Sequence, residues 1–312
     1  MRNTKSWRKW EGMVVLRDFP QFIVDHQITF MRRFRRGVPQ DFRWTVWKAA
    51  LQWEVMRDRV GIPYPDLIGA TNKFSELITI DAPRTFPEIA CFDAEAEHEI
   101  YNILNAFANL HPEVGYCQGM NFVAAMVVLV SGLDPAEEEA AFWVFTCLMV
   151  IYDLRGFYVE QFPLLKEYLY AFNEMARDEI PDIYSHFKNE DIQPPVYLHH
   201  WFFSLFVTAL PLQTVGVIWD CLICEGLFNL IPLSIAILKI MRKPLLQLRF
   251  ERIVKCLRSL RQTPAVVDGS KIGRLIVLES STIKVPLELI ERISPCFDAK
   301  DVIAFPLRDS SQ

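Results

Sequence analysis

Three short segments of this chain set polar side chains beside glycine or proline, the kind of boundary at which rigid scaffolds present working groups. They are Arg36-Gly-Val-Pro39 with Arg43 and Trp47, Ile78-Thr-Ile-Asp81-Ala-Pro-Arg84-Thr-Phe-Pro87, and Val114-Gly-Tyr116-Cys-Gln118-Gly119-Met-Asn121. Arg84 offers a permanent planar cation with a fork of donors, and Gln118 an amide that accepts and donates at once. Taken singly, each has a plain structural reading. Arg84 reads as a surface arginine partnered by Asp81, and Thr85-Phe-Pro-Glu88 as a capping box. Gln118 reads as a loop residue before a helix capped by Asn121, with Gly119 relaxing the turn.

Other familiar chemistry is poorly supported. The chain has no Gly-x-Ser-x-Gly elbow, no GxxxxGK[ST] loop and no GxGxxG, and so no phosphate cradle of its own. His199 and His200 are adjacent and cannot face one metal from a helix. Cys221-Leu-Ile-Cys224 has zinc-knuckle spacing without a second pair, and its neighbours Trp219, Leu222, Ile223 and Leu227 make it read as core. Glu137-Glu138-Glu139 follows Asp134-Pro135, which explains it as the acidic first turn of a helix.

The elements that must position these residues are helices. Asp93 followed by Ala-Glu-Ala-Glu predicts a capped start, apolar residues at helical spacing carry the element over 94–110, and His111-Pro112 ends it. The uncharged run Ala140–Tyr152 predicts a helix buried nearly all round. Further helices are expected over 43–57, 121–131, 164–177, 196–210, 214–224, 232–240, 247–261 and 286–293, with Leu275–Leu278 the best strand candidate. Composition agrees. Twelve glycines in 312 residues, against average usage of about 7%, together with 23 Phe and 8 Trp, favour long helices over a turn-rich β fold. The expectation is an all-α chain.

Hydrophobic residues at 51% and charged residues at 23% exclude a disordered protein. A net charge of −5 gives no electrostatic reason to expect nucleic acid. Seven cysteines without framework spacing, and no apolar signal region in MRNTKSWRKWEG, predict reduced thiols and a cytoplasmic protein. Ile192–Trp219 lacks charge but is broken by Pro194, Pro195 and Pro211, so no transmembrane segment is expected. The basic cluster Met31–Arg36 reads as a solvated helix end leading into the first motif, the alternative being contact with acidic membrane lipid or an acidic protein surface.

Together and in this order, RGVPxxxRxxxW, IxxDxxR and YxQGMN resemble the three signature motifs of the TBC-domain family, the GTPase-activating proteins for Rab-type GTPases. Arg84 lies 48 residues after Arg36, and Gln118 a further 34 along, which fits the family's spacing. The resemblance runs over about 30–295 and includes LPLQTVGVIWDCLICEG. Many members carry Arg two residues before that Trp, where this chain has Val217.

The resemblance implies a two-lobed, multi-helix domain over 36–295, with lobes of about 36–155 and 156–295. A helical flank (1–35) would precede it and a tail (296–312) follow. It implies that Arg84 and Gln118 enter the partner's nucleotide site as two fingers. Arg84 would bridge phosphate oxygens that gain charge in the transition state, and Gln118 would hold the attacking water. Asp81, Arg43, Tyr116, Gly119 and Asn121 would support them: Asp81 by orienting Arg84 or its loop, Arg43 by bracing that loop, Tyr116 by anchoring the glutamine turn. The partner would be a GTP-bound Rab-family GTPase that carries Mg-GTP itself, leaving this protein with no cofactor and no nucleotide hydrolysis of its own. Vesicle trafficking would be the process regulated, with peripheral endomembrane contact made through the partner. The alternative is a catalytically silent TBC-fold binding module or scaffold.

Overall fold

The computed structural model describes residues 5–262 and 268–293; Cys296 and the expected tail lie outside them. Nineteen α-helices and no strand are present among the described residues. They begin with α1 (Lys5–Val14), α2 (Phe19–Asp25), α3 (Gln27–Phe34), α4 (Gln40–Leu51), α5 (Trp53–Val60), α6 (Tyr64–Ile68) and α7 (Ser75–Asp81). Next come α8 (Ala94–Leu110), α9 (Met120–Ser131), α10 (Glu138–Val150), α11 (Pro163–Glu179), α12 (Pro181–Asn189) and α13 (Pro195–Phe203). The last are α14 (Leu212–Glu225), α15 (Leu230–Ile240), α16 (Arg242–Leu245), α17 (Phe250–Arg258), α18 (Gly269–Ser280) and α19 (Leu287–Ile293). The chain is all-α. It divides into two compact units: residues up to Asp25 with Val38–Glu160, and His26–Gly37 with the described residues from Gln161 onward. The N-terminal flank is thus shared between the units.

In the first unit, α8, α9 and α10 pack on one another. Asp93 starts α8 by accepting the amides of Glu95 and Ala96, each at 3.1 Å. Asp134 accepts the amide of Ala136 at 3.0 Å and starts the 3-10 turn Pro135–Glu137 that leads into α10. Between these starts the apolar faces meet, with Phe107 edge-on to Phe145 at 5.3 Å. Capping does not account for the whole acidic triplet. The Glu137 carboxylate takes Lys48 Nζ at 2.7 Å and Trp44 Nε1 at 2.9 Å, while Glu138 takes the Tyr64 hydroxyl at 2.7 Å and Asn102 Nδ2 at 3.1 Å. These carboxylates tie the start of α10 to α4, α6 and α8. The helix expected over 43–57 is two, α4 and α5, because Gln52 adopts φ 49° between them.

In the second unit, α14 packs on α18 and α15 on α18. Gly269 and Gly273, four residues apart, let α18 lie close on α14. A Cβ at Gly273 would come within 2.8 Å of Val217 Cβ and 3.0 Å of the Thr214 carbonyl, and Thr214 Oγ1 donates to the Gly269 carbonyl at 2.9 Å. Leu275–Leu278 therefore lies inside a helix and not in a strand: four apolar residues fit either period, and packing on α14 and α15 decides. The helix expected over 196–210 stops at Phe203, after which Leu205 and Phe206 take φ 46° and 67°. The carbonyl freed at Leu205 accepts Trp219 Nε1 at 3.0 Å. Cys221 and Cys224 are buried thiols pointing at Glu225 and at the Met31 carbonyl. Arg35 of the basic cluster pairs with Glu225.

Among the described residues no single helix is long and apolar enough to cross a membrane. Helix α9 and the segment Pro135–Val150 reach that length and apolarity only as a pair bent by 115°.

Candidate functional site

Helix α7 ends at Asp81, and Pro83 fits the 3-10 turn Ala82–Arg84 that continues it. Residues on both sides of Arg84 are drawn inward. The Asp81 side chain, 8% exposed, accepts the Tyr116 hydroxyl at 2.8 Å. Thr85 Oγ1 donates to the Asp81 carbonyl at 2.9 Å and accepts from Asn121 Nδ2 at 3.0 Å. Asn121 in turn accepts the Gly119 amide at 3.0 Å. Below this frame Phe86 meets the edge of Phe122 at 5.6 Å and packs on Phe92 at 5.0 Å. Segments 35 and 36 residues apart in sequence are joined by two buried hydrogen bonds.

The glutamine turn depends on two glycines. Gly119 caps α9 at φ 116°, a conformation side chains rarely adopt. Gly115 has φ 64°, and a Cβ there would fall 2.1 Å from the Phe74 ring. Asn121 is therefore not the cap of α9: it sits in the first turn, accepting the cap residue's amide and donating across to Thr85. Burial first, and the Asp81 hydrogen bond second, raise the Tyr116 phenol far above its ordinary pKa, so it remains a donor.

Arg84 and Gln118 are both exposed. Among the described residues neither side chain makes a hydrogen bond or ion pair. The plain pairing of Asp81 with Arg84 does not form, since Asp81 faces Tyr116 instead. Thr85 is not the start of a capping box, because its hydroxyl is used across the turn and the next helix begins at Ala94. Arg43, buried in α4, donates from its guanidinium to the Val38 carbonyl at 2.7 Å. The first motif crosses from one unit to the other between Gly37 and Val38. On its far side Gly37 takes φ 89°, and a Cβ there would sit 3.3 Å from Val217 Cγ1.

Sequence reasoning passed over Thr85 and Phe86 as site residues; side-chain bonds spanning dozens of residues leave no local signature. The arrangement presents a cation and an amide outward from one buried frame, with no internal acceptor competing for either. Among the described residues no three His, Cys, Asp or Glu side chains gather as metal ligands.

A family model for the Rab-GTPase-TBC domain matches residues 40–246. The Rab GTPase-activating protein eat-17 of Caenorhabditis elegans is 31% identical over 256 residues, covering 80% of this chain and 27% of that protein. Growth hormone-regulated TBC protein 1-A of Danio rerio is 33% identical over 209 residues, covering 65% of this chain and 57% of that protein. The chain thus spans from about a quarter to somewhat over half the length of these relatives. In fold it resembles the crystal structure of the Ypt/Rab-GAP domain of Gyp1p, with TM-score 0.75 and 19% identity over 90% of this chain and 98% of that one. The Chlamydomonas flagellar RabGAP TBC domain gives TM-score 0.70 and 21% identity over 88% and 94%.

Proposed function

The chain belongs to the Rab-GTPase-TBC domain family, and from that membership we propose that it accelerates GTP hydrolysis by a Rab-family GTPase, inserting Arg84 and Gln118 into the partner's nucleotide site. The observation that carries the reading is the buried frame of Asp81, Tyr116, Thr85 and Asn121. It braces the two motif segments against each other and leaves both finger side chains exposed and, among the described residues, unpaired.

Phosphoryl transfer to water asks mainly for positioning and charge stabilisation. The Arg84 guanidinium, planar and always charged, bridges phosphate oxygens as negative charge spreads over them. The Gln118 amide accepts a hydrogen bond from the attacking water through its carbonyl and donates one to the phosphate through its NH₂. The partner brings Mg-GTP; this chain supplies only side chains. An arginine finger given in trans contributes roughly 10³–10⁵ in rate. In this reading the protein turns off a Rab in the course of vesicle trafficking, meeting membranes through the partner.

The test is GTP hydrolysis by a panel of Rab-family GTPases with wild type, Arg84→Ala and Gln118→Ala. Stimulation of at least one GTPase by wild type and its loss in both variants is the expected result. Stimulation unchanged in both variants would refute the finger assignment. No stimulation of any panel member by wild type would make the chain a binding module or scaffold.

A further inference from the structure

We propose that the basic face carried by α16 and α17 docks this protein directly on the surface of an anionic lipid bilayer. Between Arg242 and Arg258 the chain has six cations, Arg242, Lys243, Arg249, Arg252, Lys255 and Arg258, and one carboxylate, Glu251. All six cations are exposed, on a chain whose net charge is −5. The pattern follows from how α17 packs: Ile253 and Leu257 are buried, and the three-residue spacing of Arg252, Lys255 and Arg258 keeps those cations on the opposite side.

Part of this charge is compensated at its edges. Arg242 pairs with Asp182 and Arg249 with Glu190, each at 2.6 Å, and Arg258 donates to the Val196 carbonyl at 3.0 Å. Lys243, Arg252 and Lys255 have no hydrogen-bond or ion-pair partner among the described residues. Of the six cations, two are paired with carboxylates, and the three without a partner among the described residues are left to attract anions.

Charge alone would suit an acidic polypeptide or a nucleic acid as well. The bilayer is favoured by two apolar side chains set among the cations, Leu246 at 37% and Phe250 at 44% exposure. A headgroup region accepts an aromatic ring and an aliphatic side chain at its acyl boundary while its phosphates meet the cations, so both attractions add. Each cation near such a surface contributes roughly fivefold to partitioning, and the effect is screened by salt. This contact uses none of the finger-site residues and does not rest on the GTPase reading.

The test is co-sedimentation of the protein with vesicles of phosphatidylcholine alone, or with a fifth of the lipid as phosphatidylserine. Wild type is expected to bind the anionic vesicles and release them as salt rises. Arg252→Glu with Lys255→Glu is expected to weaken binding at least about tenfold, and Phe250→Ser to weaken it without changing the salt dependence. Thermal melting checks that these exposed substitutions leave the fold intact. Should the charge-reversed protein misfold, the salt titration of wild type still decides. Equal binding to both vesicle types, no binding to either, salt-insensitive binding, or full binding by the folded charge-reversed protein would overturn the proposal. So would retention on soluble polyglutamate or duplex DNA without retention on vesicles.

Discussion

The Tyr116 hydroxyl donates to the Asp81 carboxylate at 2.8 Å, tying the turn before Gln118 to the helix end before Arg84. Both side chains are buried, so water cannot replace the bond if it is lost. The bond fixes one motif segment against the other while engaging neither Arg84 nor Gln118.

Tyr116→Phe leaves the Asp81 carboxylate buried without this donor, which costs about 1–3 kcal/mol. Thermal denaturation should register the loss, and stimulated GTP hydrolysis should fall because the two segments lose their mutual register. Asp81→Asn keeps an acceptor oxygen for the phenol and should lose less stability. Equal melting of wild type and Tyr116→Phe would mean the bond contributes nothing.

Arg84→Lys keeps the charge but removes the planar fork. Arg84 is exposed and unpaired, so the melting temperature should stay within a degree or two, roughly what a surface change allows. The stimulated rate should nevertheless drop by about 10² or more. Single-turnover hydrolysis by a GTP-loaded Rab, with saturating activator, separates this from weaker binding.

Glu99 in α8 gives a pH dependence of definite sign. It is 4% exposed, its Oε1 has no hydrogen-bond partner among the described residues, and burial first, then Glu138, Asp134 and Glu95, push its pKa from 4.5 up to about 8. The folded protein therefore holds a proton that the unfolded chain releases between these two values. Stability from this group is complete at low pH, falls as pH rises through the window and levels off above about 8. Glu99→Gln should flatten that slope and melt higher than wild type above pH 8. A slope left unchanged in melting curves across the window would exclude Glu99 as its source.

Val217→Arg tests the one visible departure from the family pattern. Val217 is 2% exposed, and Gly273 of α18 passes so close that a Cβ there would lie 2.8 Å from Val217 Cβ. A guanidinium at 217 would have to bury its charge or push α18 away, at a cost of at least about 3 kcal/mol. Urea denaturation should show the loss. A variant as stable as wild type would mean the helices can part at little cost.

The helical class and several helix starts were legible because their causes are local. Asp93 and Asp134 cap in the structure as their spacing announces, and α9, α11, α14, α15 and α19 fall within a few residues of expectation. Breaks without a glycine were not legible: nothing in Gln52 or Leu205 advertises a positive φ, which tertiary packing imposes. Short helices such as α6 and α7 were missed because they carry too few turns to display a period. At the site, Asp81, Tyr116 and Asn121 stood out by motif, but their bonding partners did not. Asn121 looked like a cap because it follows a glycine near a helix start; only the folded geometry assigns the cap to Gly119. Glu137 and Glu138 looked like helix-start acids, while their bonds to Trp44, Lys48, Tyr64 and Asn102 depend on distant elements meeting.

Among the described residues Arg84 and Gln118 stand unpaired on a frame already bonded beneath them, and on the proposed reading this bears on how the activity can be restrained. Among the described residues no hydrogen bond or ion pair holds either side chain, so on the proposed reading neither has a bond of its own to break when a partner arrives. The protein's output is then governed by encounter: where the molecule resides, and whether anything else covers those two side chains first. On the proposed reading, a partner or segment that covers Arg84 and Gln118 silences the activity without having to displace a bond of theirs.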